Sequence, residues 1–304
     1  MTITLAWVRN NKDTTELLVA SDSRLRSRGA IDQAQKIFRL DRGDCCLGFC
    51  GDAQVAYPLF VQVGSALNNY IRTRTRAADV TNVVDNVRWV LNNLIASWDI
   101  SPKEKDEELA ATKIMFAGWS WKFKRFDIGF FKYRNRSFEF HHQKARLGHP
   151  WNESQRSLVF IGDYEAEFRA ALAEVLERRH GKQPKTIRKA VNFDYEPIEA
   201  LAQMLRRNKK DNTFPLIGGA PQLLKIYVHG NDMPIVIRQG TNEHFLLGRR
   251  LSEWEKTGYP ILDLRDDTPH FLYPMAAIPV PQFLHETVEV INDGIVDTGI
   301  QSDL

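Results

Sequence analysis

Cysteine is scarce in this chain: Cys45, Cys46 and Cys50 are the only three among 304 residues. An odd, clustered set argues against a disulfide framework and points to a reducing, cytoplasmic setting. It argues against a zinc-type site as well. Adjacent cysteines on a strand point to opposite faces, and no fourth ligand follows at zinc spacing. The three are expected as small buried hydrophobes. Long apolar runs are missing too. No stretch reaches the roughly 18 residues needed to span a bilayer, and no basic start leads into an apolar segment as in a secretory signal. Nor is there a charge excess. The 41 basic and 38 acidic residues leave a formal net charge of +3, which calls for neither nucleic acid nor a membrane surface. Repeats and low-complexity tracts are absent. Hydrophobic residues make up 43% of the chain, enough for a packed core rather than disorder.

The patterning opens with strands. Residues 2–9 and 16–21 alternate or run apolar around the turn-rich Asn10 to Thr15, which reads as a hairpin. A second strand pair is expected at Lys36 to Leu40 and Cys45 to Phe49, around Asp41-Arg42-Gly43-Asp44. After Gly51-Asp52 the period changes. Val55, Leu59, Phe60, Val63, Leu67 and Tyr70 recur at helical spacing, and a second helix is expected from Val80 to Trp98, with Asp79 or Thr81 as its start signal. Ser101 to Glu108 reads as a charged linker containing Pro102.

Strands are expected again at Lys113–Trp119, Phe126–Tyr133, Phe138–Gln143 and Ser157–Ile161, the last broken by Gly162-Asp163. Helices follow at Tyr164–Arg179 and Pro197–Arg207, then a hairpin at Leu223–Val228 and Pro234–Arg238. Residues 241–304 are less regular, with a helix expected near 281–292. Short connections favour antiparallel sheets, and the alternation of strand runs with helix pairs favours helices packed outside stacked sheets.

One pattern at the start bears on chemistry. Thr2 follows Met1, and its side chain is small enough for an aminopeptidase to remove Met1. The freed residue would carry a hydroxyl nucleophile and an α-amine base together, an established route to an activated threonine.

The residues that follow carry a family likeness. Thr2-Ile3-Thr4-Leu5-Ala6-Trp7 resembles Thr-Thr-Thr-Leu-Ala-Phe, and Val19-Ala20-Ser21-Asp22-Ser23-Arg24 resembles Val-Ala-Ala-Asp-Ser-Arg. Gln35-Lys36-Ile37 stands for Lys-Lys-Val, and Leu47-Gly48-Phe49-Cys50-Gly51-Asp52 for Ala-Gly-Phe-Ala-Gly-Gly at a helix start. Met115-Phe116-Ala117-Gly118-Trp119, Phe160-Ile161-Gly162-Asp163 and Ile217-Gly218-Gly219-Ala220 resemble Met-Ile-Cys-Gly-Trp, a Val-Gly-Ser-Gly turn and Ser-Gly-Gly-Ala. Seven landmarks in order, over about residues 2–240, resemble the proteasome β subunits and their bacterial relatives within the N-terminal-nucleophile hydrolase superfamily.

The resemblance implies an α+β fold, a four-layer αββα sandwich of two antiparallel sheets flanked by helix pairs. It implies a hydrolase domain over 1–240 and a C-terminal extension over 241–304. It also assigns roles. Thr2 is the nucleophile and its α-amine the general base, with a reference pKa of about 7.7–8.0 that suits proton transfer near neutral pH. Lys36 lies beside Thr2 and favours its less protonated state. Asp22 holds Lys36, and the Gly51 backbone N–H stabilises the oxyanion. No cofactor or metal is implied. The implied partners are a polypeptide or amide substrate, further copies in a ring-like homo-oligomer, and an ATP-driven unfoldase.

Three positions depart from the family. At one, Asp163 follows Gly162 where the family's Val-Gly-Ser-Gly turn has a Ser. Phe214 and Ile217 stand where it has an Asp and a Ser near the threonine amine, so those side chains cannot hydrogen-bond it. Asp163 and Asp211 are the carboxylates at hand as substitutes. The departures keep two alternatives open: a catalytically inactive proteasome-like subunit, and a small-molecule amidase of the same superfamily. Thr4 is a second candidate nucleophile, but Thr2 keeps Leu5-Ala6-Trp7 in register. The remaining features read as structural. His141 and His142 alternate across a strand, Trp119 and Trp121 pack, and the basic residues around 169–185 and 206–210 are solvated helix ends.

Overall fold

The computed structural model describes residues 2–11, 14–26, 29–142, 158–181, 193–266 and 269–273. In chain order these form β1 (Ile3–Asn10), β2 (Thr15–Ser21), β3 (Leu25–Arg26), β4 (Ala30–Ile31), β5 (Ile37–Arg39) and β6 (Cys45–Cys50). Four helices follow: α1 (Ala53–Asn69), α2 (Ile71–Arg74), α3 (Val80–Ala96) and α4 (Pro102–Leu109). Then come β7 (Lys113–Ser120), β8 (Arg125–Arg134), β9 (Ser137–His142), β10 (Leu158–Gly162), α5 (Glu165–His180) and α6 (Glu196–Asp211). The last described elements are β11 (Gln222–Tyr227), β12 (Asp232–Gly240), β13 (Glu243–Leu246), β14 (Arg249–Arg250), β15 (Ile261–Asp263) and β16 (His270–Leu272). The fold is mixed α and β with antiparallel sheets. The residues around 281–292, expected as a helix, lie outside the described residues.

One sheet runs β10-β1-β2-β11-β12-β13-β14, and a second runs β5-β6-β7-β8-β9. The second is antiparallel throughout. The first has one parallel pair, β12 with β15. β11 pairs with β12 only as far as Ile235, and β15 takes up β12 from Val236 to Arg238. β12 outruns its hairpin partner, and an incoming strand saturates the backbone groups that are left. Strands beyond residue 240 therefore extend the sheet that contains β1.

Period-two alternation sends β1 to both faces. Ile3, Leu5 and Trp7 join an apolar cluster with Phe168, Leu172 and Val175 of α5 and Ile198, Leu201 and Leu205 of α6. Ala6 and Val8 join Leu17, Val19, Leu224 and Ile226 in a cluster shared with Ile37, Cys46, Met115, Ala117 and Ile128 of the second sheet. The other face of the second sheet packs Leu47, Phe49, Phe116 and Phe131 on Val55, Leu59 and Val63 of α1 and Val83, Val87 and Leu91 of α3. Each large apolar side chain buried this way contributes roughly 1.5–3 kcal/mol. All three cysteines are free and buried.

The expected strands and long helices occur within a few residues of their positions. The charged linker does not: Ser101 to Glu108 belongs mostly to α4. Ser101 caps it, with Glu104 N on Ser101 Oγ at 3.3 Å and Ser101 N on a Glu104 carboxylate oxygen at 2.9 Å. This capping box with Pro102 in the first turn starts a helix rather than breaking one. The expected tryptophan pair is also split. Trp119 packs edge-on against Phe126, whereas Trp121 is 50% exposed. Among the described residues, no helix is long and apolar enough to cross a membrane.

Candidate functional site

Three of the four residues expected at the site meet at the start of β1. Lys36 Nζ donates to Thr2 Oγ1 at 2.7 Å and to Asp22 Oδ1 at 2.9 Å. All three residues are fully buried. Antiparallel pairing explains the meeting of the first two: Thr4 lies opposite Ser21, so the residue after β2 returns beside the start of β1. Lys36 stands just before β5, whose sheet faces β1 across the shared apolar cluster.

Backbone donors fix the carboxylate. Asp22 Oδ1 also accepts from Ile3 N at 3.1 Å, while Oδ2 accepts from Arg24 N at 3.1 Å and Gly218 N at 3.0 Å. Hydrogen bonds of this kind fix the position of a carboxylate. Burial pushes the Lys36 ammonium below its ordinary pKa, and Asp22 opposes that shift. Lys36 is thus a fixed donor to the Thr2 hydroxyl that surrenders its proton more easily than a surface lysine.

Gln222 holds the second strand of the site in place. Its Oε1 accepts from Lys36 N at 3.0 Å and Ile37 N at 3.2 Å, and its Nε2 donates to Ala34 O at 2.8 Å, Ser23 Oγ at 3.0 Å and Asp22 O at 3.1 Å. Nothing in a single sequence marks this buried amide as part of a site.

The backbone of Thr2 is clamped by Asp163. Thr2 N donates to Asp163 Oδ2 at 2.8 Å, and Asp163 N donates to Thr2 O at 2.9 Å. The turn that delivers this carboxylate depends on glycine: Gly162 has φ +129°, and a Cβ there would lie 1.8 Å from the Thr2 carbonyl oxygen. Asp163 thus stands beside the Thr2 nitrogen, whereas Phe214 and Ile217 are core residues. Those two belong to the apolar cluster under α6, with Phe214 edge-on to Tyr164. Asp211 is elsewhere, exposed and capping Thr213.

Gly51 follows β6 with φ +104°, and a Cβ there would lie 2.6 Å from Thr112 Cα. Asp52 next to it caps α1 by accepting from Gln54 N at 2.7 Å. The end of β6 is tied to the start of β1, because Thr4 Oγ1 donates to Phe49 O at 2.9 Å. Gly51 is therefore two residues beyond a direct tie to β1, at a helix start. Thr4 itself is engaged by Phe49 and Ser21, at 3.1 Å from Ser21 Oγ, and Lys36 bonds Thr2.

The cysteines offer no competing nucleophile. Burial pushes the Cys50 thiol up to about 11 and raises those of Cys45 and Cys46 as well, so none is a thiolate near neutral pH. Among the described residues, no group of three or more His, Cys, Asp or Glu side chains could hold a metal ion. Neither a family model nor a curated protein sequence matches the chain.

Proposed function

We propose that the chain is an N-terminal-threonine hydrolase that cleaves peptide or other amide bonds once the Met1–Thr2 bond has been cut. The observation that carries this is the buried contact of Lys36 Nζ with both Thr2 Oγ1, at 2.7 Å, and Asp22 Oδ1, at 2.9 Å. A buried lysine needs a carboxylate to offset its desolvation. Placing a threonine hydroxyl on the same ammonium is what nucleophile activation needs. The arrangement of two sheets with helices packed against their outward faces is read as the four-layer αββα sandwich of this superfamily.

In the proposed cycle the Thr2 α-amine accepts the Oγ proton as Oγ attacks the amide carbonyl carbon. The carbonyl oxygen becomes an oxyanion, stabilised by the Gly51 N–H; such a donor is worth roughly 3–4 kcal/mol in the transition state. The amine leaving group departs with the proton held by the α-amine. Water then hydrolyses the resulting ester and restores the Thr2 hydroxyl. Lys36 favours the developing negative charge on Oγ, Asp22 fixes Lys36, and Asp163 orients the α-amine. Thr2 is fully buried in the uncleaved chain, so the same cleavage has to open the hydroxyl to substrate. A ring-like homo-oligomer served by an ATP-driven unfoldase belongs to this reading through the family resemblance.

One observation favours a second reading, a non-catalytic subunit that keeps the fold: Phe214 and Ile217 are core residues. The Asp163 carboxylate against Thr2 N weighs the other way. Peptide hydrolysis by the processed protein and by a Thr2→Ala variant decides between them. Activity lost in the variant supports the hydrolase, and equal activity in both removes Thr2 from the chemistry. A processed protein that hydrolyses neither peptides nor simple amides supports the subunit.

A further inference from the structure

The turn between β7 and β8 presents Trp121, Lys122, Phe123, Lys124 and Arg125, all exposed. Trp121 and Phe123 are each 50% exposed, a large apolar area for a surface tip. Lys122 and Arg125 lie over the Phe123 ring at 5.3 and 5.2 Å. The tip is rigidly held. Ser120 Oγ donates to the Asp79 carboxylate at 3.0 Å, Lys122 N donates to the same carboxylate at 3.1 Å, and Phe123 N donates to Ser120 Oγ at 3.0 Å. Aromatic rings and cations displayed on a pre-ordered turn bind at low entropic cost.

The complementary surface lies at the opposite end of the same strand. A groove of about 1000 Å³ separates the first half of α1 from the end of α3 and the start of α4. Its apolar floor includes Pro58, Val61, Leu94 and Trp98, and its charged lining is acidic: Asp52, Glu104 and Glu108. Asp52 N donates to Thr112 Oγ1 at 3.4 Å, which sets the groove beside the start of β7. β7 has eight residues, so tip and groove stand about 25 Å apart at ~3.3 Å per residue.

We infer that the groove receives the 121–125 tip of a second copy of this chain. Rings fill the apolar floor, and Lys122, Lys124 and Arg125 meet Asp52, Glu104 and Glu108. Because donor and acceptor surfaces occupy opposite ends of one strand, the contact is head-to-tail and leaves each copy with a free tip and a free groove. Neither surface includes the Thr2 site, and the inference does not depend on the hydrolase reading.

Sedimentation velocity of the Thr2→Ala chain over a concentration series tests it, separately from processing and activity. Association that grows with concentration is expected. Lys122→Glu with Lys124→Glu should weaken it by about tenfold or more, as should Glu104→Gln with Glu108→Lys, in which Gln keeps the α4 capping box. The chain carrying both sets should associate more tightly than the chain carrying the two lysine reversals alone, because the groove that meets the acidic tip is then no longer acidic overall. Trp121→Ser with Phe123→Ser should also dissociate the copies, with an unchanged far-ultraviolet circular dichroism spectrum. A monomer at every concentration, association indifferent to either charge reversal, or no recovery in the combined chain overturns the inference.

Discussion

Among the described residues, two buried lysines share almost the same local arrangement, and only one is read as chemical. Lys36 bridges Asp22 at 2.9 Å and the Thr2 hydroxyl at 2.7 Å. Lys225 bridges Glu16 at 3.2 Å and the Tyr195 hydroxyl at 2.7 Å. Burial pushes both ammonium groups below their ordinary pKa. The surroundings differ. Glu16 is shared with Arg9 at 2.9 Å, and Lys225 also lies over the Tyr195 and Phe271 rings. Burial drives the Tyr195 phenol well above its usual range, away from deprotonation. That cluster is a side-chain network that ties strands to the start of α6. Around Lys36 the carboxylate is instead fixed by three backbone N–H groups, and the hydroxyl belongs to a residue whose own nitrogen sits on Asp163. A buried lysine between a carboxylate and a hydroxyl is thus not a signature of catalysis. What distinguishes the Thr2 site is that cutting one peptide bond would set an α-amine beside the proposed nucleophile.

The sharpest way to break this contrast is to remove each hydroxyl. Thr2→Ala should lower peptide or amide hydrolysis by more than about 10⁴-fold, the scale seen when a covalent nucleophile is deleted. Tyr195→Phe should leave turnover unchanged. Peptide hydrolysis by the processed proteins checks both.

Next come the lysines. Lys36→Met should cost about 10²–10⁴-fold in turnover, whereas Lys225→Met should cost stability and no turnover. Removing one partner of a buried pair costs roughly 3–5 kcal/mol. The loss should be smaller for Lys225→Met, because Arg9 still pairs with Glu16. Urea unfolding beside steady-state kinetics separates the two kinds of effect.

A smaller effect is expected from Asp163→Ala, about 10²-fold in turnover through misplacement of the amine. Asp163→Ser should recover part of it, because a hydroxyl still accepts the N–H.

The smallest expected effect is a pH slope. With its folded pKa below the ordinary 10.5, Lys36 loses its proton earlier in the folded chain than in the unfolded one. Between those two pKa values the unfolded chain binds more protons, so stability rises with pH. Lys225 behaves in the same direction. Lys36→Met and Lys225→Met should each flatten the rise of the urea midpoint on the alkaline side.

Much of this was legible in the sequence, for identifiable reasons. β1, β2 and β6 show as alternating or continuous apolar runs, and the first halves of α1 and α3 show a period of 3.6. Thr2, Asp22 and Lys36 were legible through the family resemblance of the segments that carry them. Other features depended on tertiary context. α4 was hidden by its polarity and by Pro102, although Ser101 and Glu104 spelled out the cap. The parallel β12–β15 pair depends on how far β12 outruns β11, which no local pattern records. Phe214 and Ile217 were legible as missing polar groups. That the Asp163 carboxylate reaches Thr2 N rests on the +129° turn at Gly162, a backbone conformation that a lone Gly-Asp pair does not announce. Gln222 gave no signal, because its role is set by five contacts with the backbone and side chains of the Asp22 and Lys36 segments.

The central claim is that Thr2 becomes the chain's N-terminal nucleophile. Intact-protein and peptide mass spectrometry after treatment with a threonine-directed epoxyketone tests it most directly. The expected result is a chain lacking Met1 that carries one probe, attached at Thr2 through both its amine and its hydroxyl. A chain that keeps Met1, or one that lacks Met1 and remains unlabelled at Thr2, would contradict it.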